Sequence, residues 1–399
     1  MVAERTIQRI LIAADKRIWI ANNKGLNLFD ASAKTFSLFI PSPDNPTSKV
    51  DNAFVTLAEN KAGNILGGTL GKGLYVFDIK TQKFTHYVNN PNDPNSLPDD
   101  AIWKILIDSD NKVCVIDNLS LGSLKNITHL KENEKFTFLH FDLLNTEELN
   151  KTFSRYHFDV VFHLAANSDI AKSYNDPSID LKNTFLTTFN VLDSMRIYGV
   201  KQLIMASTSA IYGDTSETLT ENYGPLFPIS HYGAGKLASE AFVSSFTENY
   251  GIQSWITRFP NVVGERTTHG IIFDFFNKIK SNKEYLEVLG DGNQNKPYLY
   301  VKDLVEAILF VWKNASEKIN YFNIGVDSST KVSDIANIVL EESGENREIR
   351  FTGGTRGWIG DVPFFSYNLD KIHQLGWRAK NTSNEAVRLA VKGVLQTNA

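Results

Sequence analysis

From residue 112 onward, short apolar runs alternate with stretches of helical periodicity, and this alternation constrains the chain more than any other feature. The runs are KVCVID (112–117), FTFLHFD (136–142), DVVFHLAA (159–166), QLIMAST (202–208), QSWITRF (253–259), EVLG (287–290) and YFNIG (321–325). Between and beyond them, apolar residues recur with the spacing of one helix face over 146–155, 180–198, 232–249, 271–280, 301–313 and 332–342. Strand, helix and strand in steady succession predict a doubly wound parallel sheet, an α/β Rossmann-like core, with a smaller C-terminal substrate lobe. The expected division is 112–260 for the core and 261–399 for the lobe.

Residues 1–111 follow a different pattern. Ile18 to Ile65 is 47 residues and Ile65 to Val113 is 48, and each unit holds short alternating strands separated by turns rich in Asn, Asp, Pro and Gly. A period of that size with about four strands per unit predicts blades of a β-propeller, here about two. The phrases GLNLFD, GLYVFD and DPNSLPDDAIW resemble the propeller repeats of two-component regulators. Two blades cannot close a ring, so the expected element is a partial propeller with exposed edge strands.

A net charge of −4 and a pI near 6.1 give no basic field for nucleic acid or an anionic membrane. No apolar run approaches a membrane span, and the N-terminus lacks the apolar core of a signal peptide, so a cytoplasmic location is expected. The single cysteine, Cys114, excludes an internal disulfide and is expected to be a buried, inert thiol in a strand. No cluster with metal-ligand spacing is present.

The chemistry concentrates in HYGAGK (231–236). Tyr232 and Lys236 are four residues apart and share a helix face, where an ammonium beside a phenol favours the phenolate. A tyrosine with an ordinary pKa near 10 is a poor base, so this pairing is what lets it accept a proton. An amphipathic helix start with a snorkelling lysine has the same spacing. The AST triplet one strand earlier, ending at Thr208, turns the reading toward catalysis.

VIDNLS (115–120), FDLLN (141–145), VVFHLAA (160–166), MASTSAIYGD (205–214), PISHYGAGK (228–236), RFPNVVGER (258–266), LGDGNQNKPYLYVKDLVEA (289–307) and GGTRGWIGDVP (353–363) arrive in an order that resembles the extended short-chain dehydrogenase/reductases, within their UDP-glucose 4-epimerase-like branch. The resemblance runs from Lys112 to about Trp377. It implies an NAD-dependent isomerase of UDP-hexoses: Tyr232 takes the proton of the sugar 4-hydroxyl while carbon 4 is oxidised and then reduced again by NAD, Thr208 bonds the same oxygen, and Lys236 holds the nicotinamide ribose. For the cofactor it implies Asp117 and Asn118 at the adenosine ribose, the carboxylate selecting NAD over NADP, and Asp142 and Leu143 at the adenine. Leu164, Ala165 and Ala166 fall near the pyrophosphate, and Ser207 and Pro260 also border the cofactor, while His163 reads as structural. Ser209, Asn261, His269, Gly270, Gln294, Tyr298, Arg356 and Phe365 are implied at the nucleotide sugar, Arg356 for the diphosphate and Phe365 as a gate at the 2-substituent that favours plain hexoses. Dehydrating relatives carry an Asp–Glu pair after the active threonine and decarboxylating ones keep the glutamate. Ser209 and Ala210 stand there, which favours epimerisation. A homodimer through helices 180–198 and 232–249 is also implied.

Members of that family begin with a strand, a glycine-rich turn and a helix whose N-terminus receives the pyrophosphate. No such turn precedes Lys112: GGTLGKG (67–73) is followed by the strand-like LYVFDIK and sits at a blade turn. IWKILID (102–108) resembles the missing strand, but only four residues separate it from Val113, which predicts an antiparallel hairpin and not a parallel neighbour. The expectation is a fusion lacking the phosphate-binding segment, with impaired activity. The alternatives are a non-catalytic nucleotide-sugar or protein-binding fusion, or another NAD-dependent sugar-nucleotide oxidoreductase or dehydratase.

Overall fold

A computed structural model describes residues 7–22, 25–41, 54–60, 62–69, 73–87, 111–357 and 362–398. The chain forms two compact units, residues 1–114 with 132–137, and residues 115–131 with 138–399. The segments DPNSLPDDAIW and IWKILID, and residues 358–361 of the GGTRGWIGDVP motif, lie outside the described residues.

The first unit holds two four-stranded antiparallel meanders: β1 (Ile7–Ile12), β2 (Ile18–Asn22), β3 (Gly25–Asp30) and β4 (Thr35–Phe39), then β5 (Phe54–Glu59), β6 (Ile65–Thr69), β7 (Leu74–Asp78) and β8 (Lys83–Tyr87). Their inward residues, Trp19, Leu26, Phe54, Leu57 and Phe77 among them, form one apolar cluster. Gly67 and Gly68 lie within β6, and β7 returns antiparallel to it, so this glycine-rich stretch is a hairpin that opens no helix.

The core of the second unit is a four-stranded parallel sheet in the order β11 (Val160–His163), β12 (Gln202–Thr208), β13 (Gln253–Phe259) and β18 (Ile319–Asn323). Strand β12 shows why both faces are covered. Leu203 and Met205 point into a cluster with α1 (Thr146–Tyr156), α3 (Thr187–Tyr198) and α4 (His231–Tyr250), whereas Ile204 points into one with α6 (Val301–Asn314) and α8 (Asp370–Leu375). Strands β9 (Val113–Asp117) and β10 (Phe136–His140) pair with each other in a separate two-stranded sheet. Among the described residues no strand pairs with the second edge of β11, and Phe162 and Leu164 are 36% and 58% exposed, well above the near-zero values along β12. Cys114 is half-buried, not buried as expected, and among the described residues its strand pairs only with β10.

The C-terminal lobe assembles α5 (Ile271–Ser281), α7 (Val332–Ser343) and α9 (Ser383–Asn398) around β15 (Tyr285–Val288) and β17 (Tyr298–Tyr300). Strand β14 (Asn261–Val263) pairs in parallel with β17, carrying the chain from the end of β13 into the lobe. The helix expected over 180–198 is interrupted: a turn at Ser178–Asp180 and a π-helical stretch, Leu181–Leu186, precede α3, and widening of the helix there changes which side chains face α4.

Candidate active site

Strand β12 ends at Thr208 and α4 begins at His231, so the carboxyl edge of the sheet meets a helix N-terminus. Ser230 caps that helix, its side chain accepting from Gly233 N–H at 3.0 Å. One turn apart on α4, Tyr232 and Lys236 face β12: the Thr208 side chain lies close enough to the Tyr232 phenol to lower its pKa, and the Lys236 Nζ donates to the Ala206 carbonyl at 2.7 Å. Lys236 is only 2% exposed.

The electrostatics differ from the expected pairing. Burial pushes the half-buried Tyr232 phenol up to about 12, opposed by the Thr208 side chain and reinforced by the charge of Asp180. Lysine 236 is not among the groups that lower it. Burial pulls Lys236 down to about 8, against the raising influence of Glu240 and Asp180. The ammonium is held by the backbone of β12.

Thr208, Ser209, Pro260, Asn261 and Phe365 line one cavity of about 110 Å³. Pro260, implied at the cofactor, is therefore on the wall of this cavity. Gly213, Leu219, Ile229, Ser230 and Lys296 also line it, and of these Ser230 alone carried a readable signal, a cap residue directly before a helical pattern. Ser209 and Ala210 bring no acid to the space.

Other implied residues lie elsewhere. Tyr298 is 4% exposed and packs in the apolar core of the lobe, paired across β14 and β17 with Asn261 but not itself on the cavity wall. Gln294 is buried, with Nε2 donating to the Leu289 carbonyl at 3.3 Å and Oε1 without a partner. Arg356 is engaged by Asp214 at 2.5 Å on the surface. His269 is exposed, its Nδ1 at 3.2 Å from Thr268 Oγ1, and Gly270 has the left-handed φ of 89° that starts α5.

At the cofactor end, Asp117 closes β9, and one of its oxygens accepts the Leu119 N–H at 2.6 Å. Asn118 Nδ2 donates to Asp142 at 2.8 Å, tying the two strand ends, and Leu143 packs against the core while its carbonyl accepts from Asn190. After β11, Leu164 and Ala165 are exposed and Ala166 half-buried. His163 is buried against Thr188 Oγ1 at 2.9 Å, and burial, then Lys236, lowers it to about 3, so it is a neutral structural residue.

A dinucleotide fits this donor set at both ends. One of three Lys236 N–H donors is taken by Ala206, leaving donors for a ribose hydroxyl, and Asp117 keeps a second carboxylate oxygen. Among the described residues no glycine-rich turn leads into a helix between them.

The sequence model described as "Epimerase: NAD dependent epimerase/dehydratase family" matches residues 100–325, more than half of the chain. The chain is 29% identical over 300 residues to the putative UDP-glucose 4-epimerase of Methanocaldococcus jannaschii, covering 73% of this chain and 93% of that one. Among solved structures it is similar to a UDP-galactose 4-epimerase, at 34% identity and a TM-score of 0.64 over 74% of this chain and 94% of the other. It is also similar to the Thermus thermophilus UDP-glucose 4-epimerase in complex with NAD, at 28% identity and a TM-score of 0.63 over 71% and 91%.

Proposed function

The chain belongs to the NAD-dependent epimerase/dehydratase family, and from that premise we propose that it is a nucleotide-sugar 4-epimerase acting on UDP-hexoses. The observation that carries this is Thr208, within electrostatic reach of Tyr232, on the wall of a cavity whose next two residues, Ser209 and Ala210, bear no acid or base. Dehydration needs a proton donor and acceptor there, whereas epimerisation needs only one proton moved at the sugar 4-oxygen.

When bound, NAD supplies a reversible two-electron oxidation at carbon 4. The protein's own residues do the rest. Tyr232 Oη receives the 4-hydroxyl proton and later returns it, and Thr208 holds the same oxygen in line. Lys236 orients the ribose and contributes positive charge. Ser209 and Asn261 offer hydrogen bonds to the sugar, and Phe365 closes the wall toward its 2-substituent. Arg356, released from Asp214, pairs with the diphosphate.

The reading extends to organisation. Residues 1–111 are two propeller blades, and 112–399 an epimerase domain whose first strand and phosphate-binding turn have been replaced. Among the described residues no strand joins β9 to β11, which supports this, since the central strand of such a sheet belongs there. Each charge-assisted bond missing from the diphosphate costs roughly 1.5–3 kcal/mol, so NAD binds weakly. The same observation favours a second reading, a nucleotide-sugar-binding module without turnover. A coupled assay for UDP-galactose to UDP-glucose conversion with added NAD tests the first. Absence of conversion at saturating NAD, with UDP-sugar binding retained, selects the second.

A further inference from the structure

Tyr232, Lys236 and Glu240 follow one another at four-residue intervals along the same face of α4, and only the first two have a role in the proposed reaction. Glu240 is 6% exposed and Arg258, on β13, is 7% exposed. The guanidinium grips the carboxylate by two edges, Nε to Oε1 at 3.0 Å and Nη2 to Oε2 at 2.7 Å. Ser207 Oγ, on the residue before Thr208, donates to Oε1 at 2.5 Å. The remaining arm of Arg258 continues the chain of bonds, Nη1 donating to Tyr212 Oη at 2.9 Å and to the Glu221 carbonyl at 3.0 Å, while Tyr212 donates to Asn323 Oδ1 at 2.7 Å.

A buried ion pair contributes little net stability compared with apolar side chains of the same volume, because desolvation offsets the attraction. Its place here, one helical turn from a buried ammonium and one residue from Thr208, calls for another reason. We propose that Glu240 is a positioning residue for the Tyr232–Lys236 pair, acting on Lys236 from one turn away while Ser207 and Arg258 fix its carboxylate. This rests on the reading of Tyr232 and Lys236 as the reacting pair.

The charged and titratable groups around Lys236 are Tyr232 and Glu240 on its own helix, Asp180 from the turn before the π-helical stretch, His163 from β11, which is neutral, and, behind Glu240, the Arg258 guanidinium from β13 that pairs with it. Removing the Glu240 charge therefore leaves Asp180 as the only anion acting on the ammonium from this set, and Lys236 gives up its proton at lower pH. The experiment titrates the full chain carrying ¹³Cε-lysine by NMR, with the Lys236 signal identified by its loss in Lys236→Met. In Glu240→Gln the Lys236 midpoint falls by on the order of one unit, and in Glu240→Asp, which keeps the charge, it stays close to the parent. An unmoved midpoint in Glu240→Gln, or equal shifts in both variants, overturns the proposal in favour of a packing role. If Glu240→Gln does not fold, Glu240→Gln with Arg258→Met removes the pair without leaving a lone charge; the midpoint must still fall, by less than with the carboxylate alone removed because the departing Arg258 cation offsets part of the loss, and an unmoved midpoint overturns the proposal. No substrate or cofactor is present, so a failed titration and a failed conversion assay are separate results.

Discussion

Replacing Lys236 with Met removes a buried ammonium and nearly preserves its shape, and the structure fixes the expected energetics. Burial has moved the lysine from 10.5 to about 8, a value that already includes the attraction of Glu240 and Asp180. At roughly 1.4 kcal/mol per unit, holding the proton in the folded chain at neutral pH costs about 3 kcal/mol. Against this, methionine leaves the Ala206 carbonyl without its donor, a loss of about 1–3 kcal/mol. Lys236→Met is thus expected to be as stable as the parent at pH 7, or more stable by up to about 2 kcal/mol, while losing the reaction. The pH dependence is the sharper test. Below about 8 the lysine is protonated in both folded and unfolded chains. Between about 8 and 10.5 the unfolded chain keeps the proton that the folded chain has released, so parental stability rises with pH across that window. Urea denaturation of both proteins at pH 7 and pH 9 measures this, with other groups cancelling in the difference. The parent should gain about 1 kcal/mol on the variant. A strongly destabilised variant at pH 7, or a difference that does not move toward the parent as pH rises, refutes the reasoning.

Gly213 has a φ of +77°, and a Cβ there would stand 2.1 Å from the Phe227 carbonyl oxygen, so Gly213→Ala should lower stability by more than about 2 kcal/mol in chemical denaturation. Phe365→Ala enlarges the cavity beside Ser209 and Asn261, and should raise the relative affinity for UDP-N-acetylhexoses over UDP-hexoses by about tenfold in competition calorimetry. Arg356→Gln removes the cation proposed for the diphosphate and should weaken UDP-sugar binding roughly 10- to 100-fold, with the loss shrinking at high salt.

What was legible in the sequence follows from where the signals lie. QLIMAST and QSWITRF became β12 and β13 without a shift of boundary, because both are β-branched and apolar runs bounded by polar residues. The Tyr232–Lys236 face was readable because helical spacing is local. The ion pair of Glu240 with Arg258 was not, since 18 residues and the turn between α4 and β13 separate partners that only the fold brings together. Spacing alone, a third residue four beyond Lys236, was its one available hint. Asp117 was foreseen at its strand end, but not that Leu119 N–H would occupy one oxygen, a turn contact that depends on the left-handed φ of 56° at Leu119. Tyr298, implied at the nucleotide sugar, is buried opposite Asn261 because β14 pairs with β17, two three-residue strands too short to carry a periodic signal.

The account turns on proton transfer by Tyr232. The direct measurement is the rate of UDP-galactose to UDP-glucose conversion at saturating NAD for the parent and for Tyr232→Phe, with UDP-sugar binding measured alongside. Conversion by the parent that falls by a factor of about 100 or more in the variant, with binding retained, is the predicted result. Equal conversion by the two proteins would contradict it.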